Sequence, residues 1–209
     1  MYPFLGHFGA ALPAHRLRAA AAQLRPGPGG GIRPSRGEGW ALASGRLYEQ
    51  HGIAAVLDGG IEGRLALATR LEVRGLPVAD RNDAALACSA FELDGARFTA
   101  HLGGAYAAAV VDARAEPVLV LAAAGAGGAP LYYHWEPDRG RLCFASALPA
   151  LLTLLPDLPE QWVRTLPPGT TAVYTRRAGP AVLTGAGPRR SVPAPWTARA
   201  EAAAARVPG

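Results

Sequence analysis

The sequence predicts an α/β protein whose strands are mostly antiparallel and covered on both faces. Three observations carry this expectation. First, residues 102–152 hold short apolar runs at Ala105–Val111, Val118–Ala122, Pro130–Tyr133 and Arg141–Ala145. Turns rich in Gly, Pro, Asp and Arg separate them, the pattern of consecutive antiparallel strands. Second, these runs are apolar at successive positions, so each strand needs cover on two sides. Third, segments with helical character stand before and after the runs and can supply that cover.

In chain order, Met1–Ala10 reads as a first strand and Leu12–Leu24 as an Ala-rich helix. Arg25–Gly39 (RPGPGGGIRPSRGEG) is dense in Gly and Pro and is expected to be a surface loop without regular structure. Trp40–Ser44 and Ile53–Leu57 read as strands. Asp58-Gly59-Gly60 reads as a tight turn ahead of a helix from about Glu62 to Val73. Leu67 and Leu71 share one side of that helix, Arg64 and Arg70 are available to solvent, and Gly75 and Pro77 end it. Asp83 is placed to cap a second helix, Ala84–Glu92, on which Ala84, Ala87 and Phe91 share a face. Ala147–Leu155 reads as helical, Thr170–Thr175 as a strand and Ala181–Leu183 as a last short strand. From Gly185 the chain is rich in Pro, Gly and Arg, with a small helix expected around Ala198–Ala205. Residues 1–184 are therefore expected to form one domain and 185–209 a tail.

Composition narrows the function. The chain has 209 residues and is 50% apolar, enough for one core. No apolar stretch reaches membrane-spanning length uninterrupted, and no secretory signal pattern opens the chain. A cytoplasmic protein without a membrane partner is expected, with Cys88 and Cys143 as reduced, buried thiols. The net charge of +5 and pI near 9.8 rest on arginine alone, since the sequence contains no lysine. Arg, Ala, Gly and Pro share GC-rich codons. The arginines are scattered, with short pairs only at Arg176-Arg177 and Arg189-Arg190, so no nucleic-acid stripe is read. The five histidines show no metal-ligand spacing with the cysteines, and no metal is expected. Gly125-Ala126-Gly127-Gly128 leads into a strand rather than a helix, and no G-x-S-x-G, Walker or Rossmann motif stands in its proper context. No cofactor is expected.

The order of motifs resembles a known series. LGGAYAAAVVD (Leu102–Asp112), AAGAGGAPLYY (Ala123–Tyr133), FASALPAL (Phe144–Leu151) and Leu166-Pro167-Pro168-Gly169 follow one another in this chain. They resemble L-N-G-M-F-A-F-A-x-x-D, R-D-R-x-G-x-K-P-L-Y-Y, F-A-S-E-x-K-A-L and P-P-G of the class II glutamine amidotransferase domain that opens asparagine synthetases. The fold this resemblance implies is an N-terminal-nucleophile-type sandwich: two mostly antiparallel β-sheets face to face, flanked by helices.

The resemblance also implies a glutamine pocket, carried over residue by residue. The residue after the initiator methionine is the thiol nucleophile, with its own α-amine as base; this chain has Tyr2. Phenols ionise only near about pH 10 and carry a bulky ring, so the nucleophile is expected to be absent. Methionine removal needs a small second residue, so Met1 is expected to stay. Arg46-Leu47 resembles R-L-S-I, whose arginine holds the glutamine carboxylate; a solvated arginine at a strand end is the alternative. Asp58-Gly59 falls where the family has the Asn-Gly oxyanion hole, and a carboxylate there is acceptor-only. Asp83 matches the S-D-T-E aspartate that holds the substrate amine, or else serves as the cap. Ala123-Ala124-Gly125 replaces R-D-R, and Ala147 replaces the glutamate of F-A-S-E. Similar losses mark the front domains of β-lactam synthetases and lasso-peptide cyclases.

No S-G-G-x-D-S phosphate loop follows Gly185, so no ATP chemistry is expected of this polypeptide. The leading expectation is a non-catalytic pseudo-glutaminase partnering a separate ATP-dependent, asparagine-synthetase-like amide-forming ligase. A glutamine amidotransferase acting through non-standard residues and a stand-alone peptide- or ligand-binding module are the alternatives.

Overall fold

Alternation along the longest strands sets the layers. The computed structural model describes residues 1–25, 31–76, 78, 80, 82–176 and 179–184. Its strands are β1 (Phe4–Gly9), β2 (Arg33–Gly37), β3 (Trp40–Ser44), β4 (Leu47–Gln50), β5 (Ile53–Glu62) and β6 (Gly103–Asp112), then β7 (Val118–Ala124), β8 (Tyr132–Glu136), β9 (Arg141–Ala145), β10 (Arg164–Thr165), β11 (Thr170–Thr175) and β12 (Gly179–Thr184). Its α-helices are α1 (Ala14–Ala21), α2 (Arg64–Val73), α3 (Asp83–Asp94) and α4 (Leu148–Leu154). One sheet runs β10-β8-β9-β1-β3-β2 and the other β12-β11-β7-β6-β5-β4, and the strand pairs are antiparallel.

On β6, Tyr106, Ala108 and Val110 face a core shared with α2 and α3, whereas Ala107, Ala109 and Val111 face the other sheet. Both groups are buried, because a strand in the middle of a sandwich has no wet side. Phe4 and Phe8 of β1 join the inter-sheet core, and Leu5 faces out toward α1 and α4. The layers are therefore helices, sheet, sheet, helices. No helix among the described residues is long and apolar enough to cross a membrane.

Several elements depart from the expectation. The loop predicted over Arg25–Gly39 contains β2, which pairs with β3 from Arg33 opposite Ser44 to Gly37 opposite Trp40. Its partner makes it a strand, as its own residues lack β propensity. β4 was not anticipated. The turn expected at Asp58-Gly59-Gly60 is strand: β5 continues to Glu62 against a ten-residue β6. Leu67 and Leu71 are buried as the periodicity predicts. Arg64 and Arg70 are open to solvent as expected, with side chains 54% and 37% exposed, and they also pair with Asp83 at 3.3 Å and Asp94 at 3.6 Å. The predicted face of Ala84, Ala87 and Phe91 is buried, but so is every residue from Ala84 to Phe91. Pro77 and the tail helix expected at Ala198–Ala205 lie outside the described residues.

Candidate functional site

The N-terminal end of β1 is tied down by side chains from three other elements. Phe4 is completely buried and anchors the strand in the inter-sheet core. Ser146, just past β9, bonds it in both directions: Ser146 N–H donates to the Phe4 carbonyl at 2.9 Å, and Phe4 N–H donates to Ser146 Oγ at 3.0 Å. The Ser146 hydroxyl spends its own proton on Asp58 Oδ2 at 2.8 Å. Asp58 Oδ1 accepts the Tyr2 N–H at 2.9 Å. On the other flank the Ser44 hydroxyl donates to the Pro3 carbonyl at 3.2 Å and accepts the Arg46 N–H at 3.2 Å. The Arg46 guanidinium then lies 4.2 Å from the centre of the Tyr2 ring, within cation–π range.

Of the residues singled out in the sequence, Tyr2, Arg46 and Asp58 meet in direct contact. Asp58 is only 3% exposed, and each carboxylate oxygen has a donor. Buried carboxylates persist where donors surround them, and this one is occupied by the chain's own residues 2 and 146. Gly59 follows it on β5 at φ +112°, and a Cβ there would run into the Ala105 carbonyl and come within 2.8 Å of Tyr106 Cα. Close approach of β5 to β6 is reason enough for a glycine at this position.

Asp83 does not join this group through any contact; its carboxylate pairs with Arg64 of α2. It is also not the cap of α3. Asn82 is, its side chain accepting the Ala85 N–H at 2.9 Å, while Asp83 sits in the first turn, where the helix dipole favours a negative charge.

Ser44 and Ser146 were missed as site residues. Each stands at the end of an apolar strand and looks like core; the only signal was a serine kept in the Phe144-Ala145-Ser146 word. Other reactive groups lie elsewhere. Cys88 and Cys143 are buried free thiols, each pushed up to about 12 by burial. His7 is buried, and desolvation, with the Arg141 charge adding to it, lowers it to about 4. Among the described residues no group of three His, Cys, Asp or Glu is arranged to hold a metal ion. The arrangement around Tyr2 positions the first residues of the chain through their own backbone groups.

Two antiparallel sheets between helices, with the site at the head of the first strand, define the N-terminal-nucleophile amidotransferase fold. The B. subtilis glutamine phosphoribosylpyrophosphate amidotransferase complexed with ADP and GMP superposes with a TM-score of 0.63 at 14% identity, covering 87% of this chain and 49% of that one. A structure of the allosteric regulatory enzyme of purine biosynthesis gives 0.65 at 14% identity, over 87% of this chain and 48% of that one. The chain thus spans about half the length of the solved chains it matches. A class II glutamine aminotransferase domain protein from Silicibacter pomeroyi gives 0.49 at 15% identity, over 88% of this chain and 98% of that one. No curated protein sequence matches the chain. The sequence profile of the glutamine amidotransferase domain matches residues 45–153, just over half of the chain. The chain belongs to this family, the class II glutamine amidotransferase domains. The matched segment takes in Arg46, Asp58, Gly59, Asp83 and Ser146 and leaves Tyr2 outside.

Proposed function

We propose that this domain is a non-catalytic member of its family, a pseudo-glutaminase that partners a separate ATP-dependent, asparagine-synthetase-like amide-forming ligase in specialised metabolite or peptide biosynthesis. The observation that carries the reading is the 2.9 Å bond from Tyr2 N–H to the buried Asp58 carboxylate. Residue 2 stands where the resembling enzymes have their nucleophile. Its side chain is a phenol stacked under Arg46, and its nitrogen is a peptide donor rather than a free base. Asp58 stands where those enzymes donate to the oxyanion, and an ionised carboxylate there repels the charge that must develop. Arg46, the carboxylate clamp by resemblance, is engaged with Tyr2. The partner class is supported by the resemblance to the front domains of amide-forming ligases.

The test is glutamate release from glutamine by the purified chain, its Tyr2→Cys variant and the Tyr2→Cys/Asp58→Asn double variant. The expected outcome is no turnover for the first two and slow turnover for the third. Restoring a single oxyanion donor is worth about 10²- to 10³-fold. Turnover by the unaltered chain, abolished by one substitution, would establish a working amidotransferase instead. For the partner, an asparagine-synthetase-like ligase encoded beside this chain is expected to co-sediment with it and to lose activity without it. Full ligase activity alone, with no association, refutes the partnership.

A further inference from the structure

Net positive charge gathers at the two ends of the sequence, one of them the first 37 residues. Residues 1–37 contain five arginines (Arg16, Arg18, Arg25, Arg33 and Arg36) and no Asp or Glu; the first acid is Glu38. That excess equals the formal net charge of the entire chain, +5, so the remaining residues are balanced.

The same segment builds an apolar recess. α1 lies against β1, and α4 against β8 and β9, so the outer face of the first sheet is less covered over β3 and β2. An open recess of about 390 Å³ remains there, floored by Ala43 of β3 and walled by Leu17, Leu24, Ile32 and Pro34, with Arg18 in its lining. Pro34 stands opposite Ala43 in the ladder. The next pair on that face is Arg36 opposite Ala41, which puts a second arginine on the same side of the ladder, one pair along from the recess. Arg18 and Arg36 are exposed, and among the described residues neither is ion-paired.

We propose that this recess docks an acidic segment of a protein partner, which seats an apolar side chain between α1 and β2 and sets carboxylates against Arg18 and Arg36. The volume and apolar lining suit inserted side chains, and guanidinium groups match carboxylates bidentately. A bilayer is a poorer match: the exposed residues of α1 are Ala14, His15, Arg18 and Ala19, with no large apolar side chain to enter lipid. Single-stranded nucleic acid is a poorer match as well, because among the described residues the lining contains no aromatic ring for base stacking. The proposal does not depend on the catalytic state of the Tyr2 site.

The experiment selects short random peptides displayed on phage against the full chain, with an Ala22→Trp variant as the blocked control. Ala22 is an exposed residue of the recess lining, so tryptophan there fills the recess without entering the core. The consensus peptide is then synthesised with a fluorophore and titrated by anisotropy beside oligothymidylate and phosphatidylglycerol vesicles. Selection should yield Leu, Ile or Met flanked by Asp or Glu. Binding should fall about tenfold or more in Arg18→Glu/Arg36→Glu and in Ala22→Trp, each checked as folded by circular dichroism, and should weaken with salt. A neutral or basic consensus, equal enrichment on Ala22→Trp, or no peptide recovered at all would overturn the proposal. So would tighter binding of the oligonucleotide or the vesicles than of the peptide.

Discussion

Replacing Asp58 with alanine should unlatch the beginning of the chain. The carboxylate accepts two hydrogen bonds, from Tyr2 N–H at 2.9 Å and from the Ser146 hydroxyl at 2.8 Å. Hydrogen bonds to charged groups contribute about 1.5–3 kcal/mol each, so the gross loss is about 3–6 kcal/mol. Two effects reduce it. Tyr2 is only half-buried, so water can reach its freed N–H. The folded state also no longer keeps a desolvated carboxylate. A net destabilisation of about 3 kcal/mol is expected, a fall in Tm of roughly 6–12 °C for a chain of this size. Urea unfolding gives the first number and a thermal melt the second. Amide exchange localises the effect, since Tyr2 and Phe4 should lose protection while β6 keeps it. Ser146→Ala combined with Asp58→Ala should lose about 1–2 kcal/mol less than the two single changes summed, because both break the same bond. An Asp58→Ala chain within about 0.5 kcal/mol of the original, with the Phe4 amide still protected, would show that Asp58 does not hold the segment.

Three further outcomes follow from the geometry. His7, lowered to about 4 by burial, is neutral in the folded chain at pH 5 and charged in the unfolded one. Stability should therefore be fully present above about pH 6.5 and fall by up to about 3 kcal/mol toward pH 4. His7→Asn should flatten this pH dependence in guanidinium titrations, and parallel curves for the two proteins would count against it. Gly59→Ala should cost more than about 2 kcal/mol through its left-handed backbone and the clash with Ala105. Gly60→Ala, whose Cβ meets nothing within 4 Å, should be close to neutral, and similar melts for the pair would refute the close-approach argument. Cys88 and Cys143, both pushed up to about 12, should resist a disulfide reagent at pH 8 until denaturant is added. Rapid labelling of either thiol in the native chain would show that it is not sealed in the core.

The sandwich was legible where a strand's own residues are apolar enough to demand burial. β6, β7, β9 and β11 fall within a few residues of their predicted runs, because continuous apolar character leaves few other fates. β2 was illegible for the opposite reason: Arg-Pro-Ser-Arg-Gly is an edge strand held by the ladder it borrows from β3. Gly59-Gly60 carried a turn signal that a ten-residue pairing with β6 overrides. Tyr2, Arg46 and Asp58 could be singled out from the order of the motifs. Their mutual contacts could not, since these depend on Ser44 and Ser146, two serines that sequence alone assigns to the core. Asp83 shows the limit of local reasoning from the other side. A cap reading one residue out of place hid its ion pair with an arginine on the preceding helix.

Chemistry that depends on a free α-amine confines a domain to the front of its polypeptide, because nothing can precede the reacting residue. The non-catalytic reading proposed above would release this domain from that confinement. Residue 2 enters the structure as an ordinary peptide linkage, its N–H committed to Asp58, and Met1 ahead of it is 77% exposed. Added residues before Met1 would meet solvent rather than a pocket wall, which leaves room for a segment fused ahead of β1. Under that reading, a nucleophile given up removes a constraint on gene architecture along with an activity.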